Sequence, residues 1–546
     1  MPGPSAGPRS IASGWLDTLP PGADILRDYQ RQLIAGIAAE LHAGHVRILA
    51  QAPTGAGKTV VIAAIVLAAQ AAGLRVLVLV TRTRLVRQVS ERFQAFNIRH
   101  GVIAAPLPHL RNYSAGVQVA SVDTLYRRAL GSKTTPLPSA DVVIFDEAHL
   151  ATAETRLQLL DSYPDAIRIG FTATPARKSG KSLGAAFDCM VLGPSIKALT
   201  AAGVLVPTRI FNTPLLGAKE LQSIPKDTDS DYKAGELAAA LSRPKLIGDV
   251  ANNWLRIANG KRTLCFAVNK AHGAALLESF RVQGIAAELL TDNDDEDTRE
   301  EVIARLTDGR THVVINCFLL AYGLDVPTVE CVILARPTRS LTMYLQMVGR
   351  GLRSAPGKTE CIVIDHGHVI ENLGLPQTDF EWSLAPDDNV NVKATEARLR
   401  KAATEALRTC RECMTIWLTS ESGNACPSCG WAAAPRAKPV TVIEADLEEL
   451  ADDPAQLTVS DARVLTFYRE ACGWRAARKP QLWLERPKSV RWWAWCETRA
   501  MFQIAESVRK PGNFWDATPL PPSVKTSGWL KSRQIAYAHR PRTSVA

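Results

Sequence analysis

The chain has 546 residues, which is long enough for several domains with cores of their own. Hydrophobic residues make up 46% and charged residues 22%, an ordinary globular balance, and no apolar run nears the roughly 20 uncharged residues of a membrane span. The formal net charge is +10, and eleven cysteines include Cys265, Cys317, Cys331 and Cys361 within apolar strand patterns, where they suit small buried hydrophobes in a reducing interior.

In chain order, residues 1–23 begin with a Pro/Gly-rich stretch that lacks an apolar h-region, so a flexible tail is expected there. An apolar run, Val46 to Ala50, leads into Ala52-Pro53-Thr54-Gly55-Ala56-Gly57-Lys58-Thr59, and an Ala/Val/Ile-rich segment follows over 60–72. The pattern is strand, glycine loop, helix. Glycines let backbone N–H groups turn toward a phosphate, and the helix N-terminus adds partial positive charge. Lys58 would reach the β/γ-phosphates and Thr59 would ligate Mg²⁺. Ala52 stands where the full pattern has its first glycine, and a plain turn between strand and helix is the alternative.

A second strand pattern, Asp141 to Phe145, runs into Asp146-Glu147-Ala148-His149. A carboxylate at a strand's C-terminal end suits Mg²⁺ held opposite the glycine loop, and Glu147 beside it could deprotonate an attacking water. A solvated helix start is the plainer alternative, and the glycine loop upstream weighs against it. Further on, Gln346-Met347-Val348-Gly349-Arg350-Gly351-Leu352-Arg353 places two arginines at i and i+3, which on a helix would present both guanidinium groups from one face.

Eight such segments, in order over residues 24–370, resemble the motifs of superfamily 2 helicases and translocases. Leu26-Arg27-Asp28-Tyr29-Gln30 resembles the Q motif, which implies that Gln30 reads the adenine edge and Arg27 sits beside the nucleotide. Residues 52–59 resemble motif I, residues 80–88 motif Ia, residues 121–125 motif Ib, Asp146 to His149 motif II and Thr172 to Pro175 motif III. Gly323-Leu324-Asp325-Val326-Pro327 resembles motif V, although Ala321 and Tyr322 replace the family's usual hydroxyl residues. Residues 346–353 resemble motif VI.

The resemblance implies ATP bound by Arg27, Gln30, Thr54, Gly55, Ala56, Gly57, Lys58, Thr59, Asp146, Gly323 and Asp325. It implies catalysis by Lys58, Asp146, Glu147, Gln346, Arg350 and Arg353, with Arg353 as the arginine finger and Arg350 as a γ-phosphate contact. Within the superfamily, residues 348–359 and the cysteine-rich module after them resemble the RadD-type bacterial DNA repair helicases, with phage-encoded relatives as the competitor.

The expected fold is α/β, with two tandem RecA-like parallel-sheet domains, then a zinc ribbon, then a small helical basic domain. Strands are expected near 46–51, 75–81, 117–122, 141–146 and 168–172, and again near 262–268, 312–317, 331–335 and 360–365. The boundaries follow as a first domain over 24–205 and a second over 206–372, which includes a polar connector at 217–240. A linker helix and zinc ribbon span 373–436, an acidic linker 437–460 and the last domain 461–546. The acidic run over 292–297 suits a solvated helix start rather than a metal site.

Cys410-x-x-Cys413 and Cys426-x-x-Cys429 are two knuckles with the spacing of a closed, structural Zn²⁺ site. Residues 461–546 hold sixteen Lys and Arg against six Asp and Glu, so this tail carries +10 and residues 1–460 sum to zero. Seven of the twelve tryptophans lie there, which fits either a small helical core or rings for stacking on bases.

The expected activity is ATP-dependent movement on DNA, single-stranded or forked, with repair or replication proteins as partners and no membrane. RNA unwinding, or a nucleotide-switched adaptor without turnover, is the alternative. The expected compartment is the cytoplasm, at the nucleoid, or the host cytoplasm for a phage protein.

Overall fold

A computed structural model of the protein describes residues 13–20, 25–213, 216, 218–229, 231–317, 326–401, 407–432, 462–478, 484, 485, 487–501, 517–523, 526, 527 and 529–531. Gly323, Asp325, the acidic stretch 441–460, Trp483 and Trp515 therefore lie outside the described residues. The chain divides into one unit over 1–435 and a second over 436–546.

The first unit is built on two parallel sheets. Strands β1 (Arg47–Gln51), β2 (Val76–Val80), β3 (Gly101–Ile103), β4 (Val117–Ser121), β5 (Val142–Asp146), β6 (Ile167–Thr172) and β7 (Cys189–Leu192) lie in the order β3-β4-β2-β5-β6-β1-β7. Strands such as Val-Leu-Val-Leu-Val in β2 are apolar on both faces and fully buried, because helices cover the sheet on each side. The order places β5, β6 and β1 side by side: Gln51 pairs with Thr172, and Asp146 with Phe171. The C-terminal ends carrying the glycine loop, Asp146 and Thr172 are thus neighbours.

The second sheet contains β8 (Thr208–Asn212), β9 (Thr263–Phe266), β10 (Ala287–Leu290), β11 (Val313–Asn316), β12 (Cys331–Leu334) and β13 (Cys361–Asp365), in the order β10-β11-β9-β12-β13-β8. The nine expected strands are all present. The additional strands β3, β7, β8 and β10 are short or carry charge (Asp188 just before β7, Glu288 in β10), which blurs their apolar pattern. Cys265, Cys331 and Cys361 are buried as expected, whereas Cys317 lies just beyond β11 and is half-buried.

Two expectations need correction. Residues 13–16 of the supposed tail form a 3₁₀ turn whose Leu16 is buried in the first core, because a lone apolar Trp-Leu pair suffices to dock a turn. The 217–240 connector is an organised helical layer: helices Ala218–Ser223 and Ala234–Leu241 bury Leu221, Ile224, Tyr232, Leu237 and Leu241 together with Val268. Asp231 anchors it, accepting from Thr338 Oγ1 (2.9 Å) and Arg339 N (2.8 Å).

The cysteine module packs against the second sheet. Its hairpin, β14 (Leu407–Thr409) with β15 (Ile416–Leu418), presents Met414 O to Asn212 N at 3.0 Å, and Thr415 bridges to Phe211. The module thereby covers the open edge of β8, where unpaired backbone groups would otherwise face outward.

After the second sheet the chain turns back onto the first. Ser182 Oγ donates to Leu384 O (2.6 Å), and Val390 N to Gly180 O (2.9 Å). Asn391 Nδ2 donates to Lys178 O (3.1 Å) while its Oδ1 accepts from Leu341 N (2.9 Å). The acidic run starts the Glu296–Thr307 helix, capped by Asp295 accepting from Thr298 N (2.8 Å). Glu296 and Glu300 of that helix pair with Arg84 (3.6 Å) and Arg87 (3.1 Å) of the first domain.

The second unit pairs helices Ala462–Arg478 and Pro487–Met501 around Tyr468, Trp474 and Trp495. Trp474 stacks on Trp493 at 5.9 Å, with Arg478 4.3 Å over the first ring and Arg475 4.8 Å over the second. Most described tryptophans therefore serve packing, and Trp492 alone among them is strongly exposed (53%). No helix among the described residues is long and apolar enough to cross a membrane.

Candidate functional site

The C-terminal ends of β1 and β5 face a cleft of about 410 Å³ whose far wall comes from the second sheet's domain. The glycine loop supplies its floor. Gly55 and Gly57 have φ of +89° and +77°, a left-handed conformation that only glycine adopts cheaply, and a Cβ on Gly57 would lie 2.5 Å from Gln30 Nε2. The Lys58–Ala71 helix starts there, with Lys58 Nζ donating to Ala52 O at 3.2 Å. Gln30 bridges back onto the loop: Oε1 accepts from Arg27 N (3.0 Å), and Nε2 donates to Ala56 O (3.0 Å), beside Tyr29 Oη at 3.1 Å. This ties the Q-motif helix to the loop backbone.

Thr59, Asp146 and Glu147 line the same cleft. Glu147 is itself held left-handed, at φ 57°, and its N donates to Asp146 Oδ1 at 2.9 Å. A bulky residue in that region costs on the order of 1–3 kcal/mol, and such strain concentrates at functional sites. Burial pushes the Asp146 carboxyl up, and the neighbouring Glu147 charge adds to the shift. Burial opposes ionisation of Glu147 too, but His149, Lys58 and Arg350 outweigh it and hold Glu147 below the usual carboxylate range. Burial likewise lowers Lys58, against the pull of the two carboxylates.

A divalent cation fits this site on chemistry. Thr59 and Asp146 are hard oxygen donors, and Asp146 is a buried carboxylate whose charge a cation would stabilise.

From the second domain come Arg350 and Arg353. The expected shared helical face is wrong in detail. The Leu341–Gly349 helix ends one residue before Arg350, and Arg353 lies beyond it in a turn bridged to Leu205. Both side chains still reach the cleft. The two domains meet closely here: a Cβ on Gly349 would lie 2.8 Å from Thr54 Cβ, and one on Gly55 3.3 Å from Arg353 Cγ.

Gln346 does not line the cleft. It is buried behind it, with Nε2 donating to His149 Nε2 at 3.2 Å. The other ring nitrogen, Nδ1, faces Thr172 Oγ1 (3.2 Å) and Glu147 Oε2 (3.3 Å), while Thr172 Oγ1 donates to Thr174 O (3.1 Å). One buried chain thus joins the second domain, His149, Glu147 and the end of β6. Sequence alone gave His149 no role, and nothing short of the fold brings Gln346 to it. Gln88 and Arg92, on successive turns of the Thr83–Ala95 helix, also line the cleft; their i, i+4 spacing was the available signal.

The four cysteines of the knuckles gather with all Sγ atoms within 4.8 Å of one another. Cys410 and Cys429 are 3.5 Å apart, and Cys413 and Cys426 3.6 Å. A tetrahedral site with Zn–S of about 2.3 Å needs sulfurs about 3.8 Å apart, so the thiols fit zinc.

Residues 24–177 match the family described as Type III restriction enzyme, res subunit, and residues 246–355 match Helicase conserved C-terminal domain. A 51.5 kDa protein of a Lactococcus phage is 28% identical over 75% of this chain and 83% of its own length. The Saccharomyces cerevisiae protein named ATP-dependent helicase IRC3 is 27% identical over 63% of this chain, which spans only 51% of that relative. Among solved structures, a fragment assigned as the HsdR subunit of a type I restriction enzyme from Vibrio vulnificus superposes with a TM-score of 0.53, at 22% identity over 69% of each chain, and so shares the fold. With these matches over two parallel-sheet domains whose motif residues meet in one cleft, residues 24–355 are similar to the motors of superfamily 2 helicases and translocases, and the chain is an enzyme of the ATP-hydrolysing helicase class.

Proposed function

We propose that the chain is an ATP-driven motor on DNA, a helicase or translocase acting in repair, recombination or replication. One observation carries the motor reading: arginines of the second domain and the Lys58, Thr59, Asp146, Glu147 group of the first share a single cleft. ATP bound there would lay its phosphates on the backbone N–H groups around Gly55 and Gly57, with Lys58 against the β/γ-phosphates. Thr59 and Asp146 would hold Mg²⁺, which screens the phosphate charges. Glu147, ionised at neutral pH, would take the proton of the attacking water. Arg353 would stabilise charge on the transferring phosphoryl group, with Arg350 on the γ-phosphate, so turnover would require the two domains to close. Gly323 and Asp325 are assigned to the same nucleotide by motif resemblance alone.

DNA is favoured over RNA because the matching first-domain family is named for a restriction enzyme, and restriction acts on DNA. The repair setting rests on the RadD-like string 348–359 and the cysteine module after it. The knuckles would hold one structural Zn²⁺. The tail, with its +10 charge, would bind the track outside the motor.

The test is phosphate release measured side by side with single-stranded DNA, duplex, forks and RNA. Stimulation by DNA, strongest with single strands or forks, is the expected result. Stimulation by RNA alone would move the substrate to RNA, and nucleotide binding without turnover under any condition would leave a switch rather than a motor.

A further inference from the structure

Lys358 follows Arg353 by five residues, in the turn that leads into β13. Its Nζ donates to three backbone oxygens: Gly351 O (2.7 Å), Arg353 O (2.7 Å) and Pro327 O (3.1 Å). An ammonium has three N–H bonds, and here each meets a carbonyl. Two of those carbonyls belong to the turn that carries Arg353. The third closes the segment resembling motif V. Three carbonyl dipoles pointing at one spot repel one another unless a donor cation fills it, so this convergence depends on the lysine.

The rest of the turn is held by neutral contacts. Val206 N donates to Leu352 O (2.9 Å) and Ser354 Oγ to Val204 O (3.1 Å). Gly351 is pressed against the sheet, where a Cβ would overlap Cys361 Sγ and lie 2.8 Å from Val332 Cγ2.

We propose that Lys358 is a positioning residue for ATP hydrolysis: its ammonium fixes the backbone of Arg353 so that the guanidinium is delivered to the cleft, and links that placement to the segment ending at Pro327. The inference rests on the reading of Arg353 as the trans-acting arginine given under Proposed function. An arginine head sits on four rotatable bonds, so an error at its Cα is carried to the cleft, and a displacement of about 1 Å can cost about 10²-fold in rate.

The charge on Lys358 is sensitive to pH. Burial brings its pKa down to about 8, and Arg353 and Arg262 push the same way, while Cys361 of β13 and Glu330 before β12 oppose them. At neutral pH the ammonium therefore holds all three oxygens, and above about pH 8 the amine keeps only two N–H bonds. Turnover should fall as pH rises through that value. Unfolding does not produce this fall. A lysine whose pKa is lowered on folding makes the folded state gain stability, relative to the unfolded, between about pH 8 and the ordinary lysine value of about 10.4.

The experiment compares full-length wild type, K358M, K358R and R353A in steady-state hydrolysis with saturating single-stranded DNA, from about pH 6.5 to about pH 10. Expected for K358M is a kcat about 10²-fold lower with KM for ATP within about twofold, and no limb near pH 8. K358R, charged throughout, should recover part of the rate and also lack that limb. A K358M enzyme with full kcat beside a slow R353A would overturn the inference while sparing the arginine. Full turnover in R353A would instead overturn the arginine reading, and this inference with it. If K358M does not fold, the wild type and K358R decide: an alkaline limb common to both refutes the role of Lys358.

Discussion

At the scale of single residues, the site separates binding from chemistry. Glu147 stands beside Asp146, whose Oδ1 accepts from its backbone N, and its environment keeps it ionised well below neutral pH. E147Q should hold ATP as tightly as wild type yet release phosphate at least about 10²-fold more slowly, the low end for a general base. R353A should likewise bind ATP nearly normally but lose about 10³–10⁵ in kcat. Equilibrium nucleotide binding set against single-turnover hydrolysis checks both; an R353A variant that loses affinity and keeps its rate would take the finger role from Arg353.

Most residues of the cleft were legible in the sequence because glycine loops and strand-end carboxylates are local patterns. What was not legible is non-local. The left-handed backbone of Glu147 and the Gln346–His149–Thr172 chain arise only when β5, β6 and the second domain are brought together. Arg350 and Arg353 were placed on one helix by spacing, but a helix end cannot be read reliably from arginine positions, and this one stops at Gly349.

At the scale of elements, two features of the second domain carry stability predictions. His272 and His366 are fully buried, and burial brings both down to about 4, each neutral in the fold. The unfolded chain binds protons from about pH 6.5 downward, so it gains on the folded state until the buried histidines titrate near 4. The pair should cost about 2 kcal/mol each by about pH 5. Calorimetry between neutral pH and pH 5 should show the second domain melting lower, with a smaller drop in H272Q. A melting temperature indifferent to pH would contradict this.

The cysteine module is the second feature. The C-x-x-C pairs were plain in the sequence, but their docking on β8 was not, since an edge strand carries no mark of what covers it. Chelating the metal, or replacing Cys413 and Cys426 with serine, should remove about one zinc per chain and raise amide exchange in Thr208–Asn212 as well as in the module. Exchange confined to 407–431 would show that the edge stands without it.

For the whole molecule, charge and catalysis are segregated. The first 460 residues sum to zero and the tail holds +10, while most of its described tryptophans are packed into its own core. On the proposed reading, charge rather than ring stacking would be the tail's means of reaching nucleic acid. Deleting 461–546 should flatten the salt dependence of DNA binding, raise the DNA concentration needed to stimulate hydrolysis, and leave kcat at saturating DNA nearly unchanged. Anisotropy titrations across a salt series test it, and equal slopes with and without the tail would leave protein docking as its role. The polypeptide between the sheets bears on the stroke itself. The chain crosses from the first domain to the second near residues 193–207 and comes back along 376–391, where Asn391 grips both the 178 loop and the start of the motif VI helix. A body attached at one point can swivel in any direction. One attached at two can only swing about the line joining them, like a door on a pair of hinges. Two such attachments would favour opening of the domains about one axis, so that each ATP cycle would drive a stroke along one path.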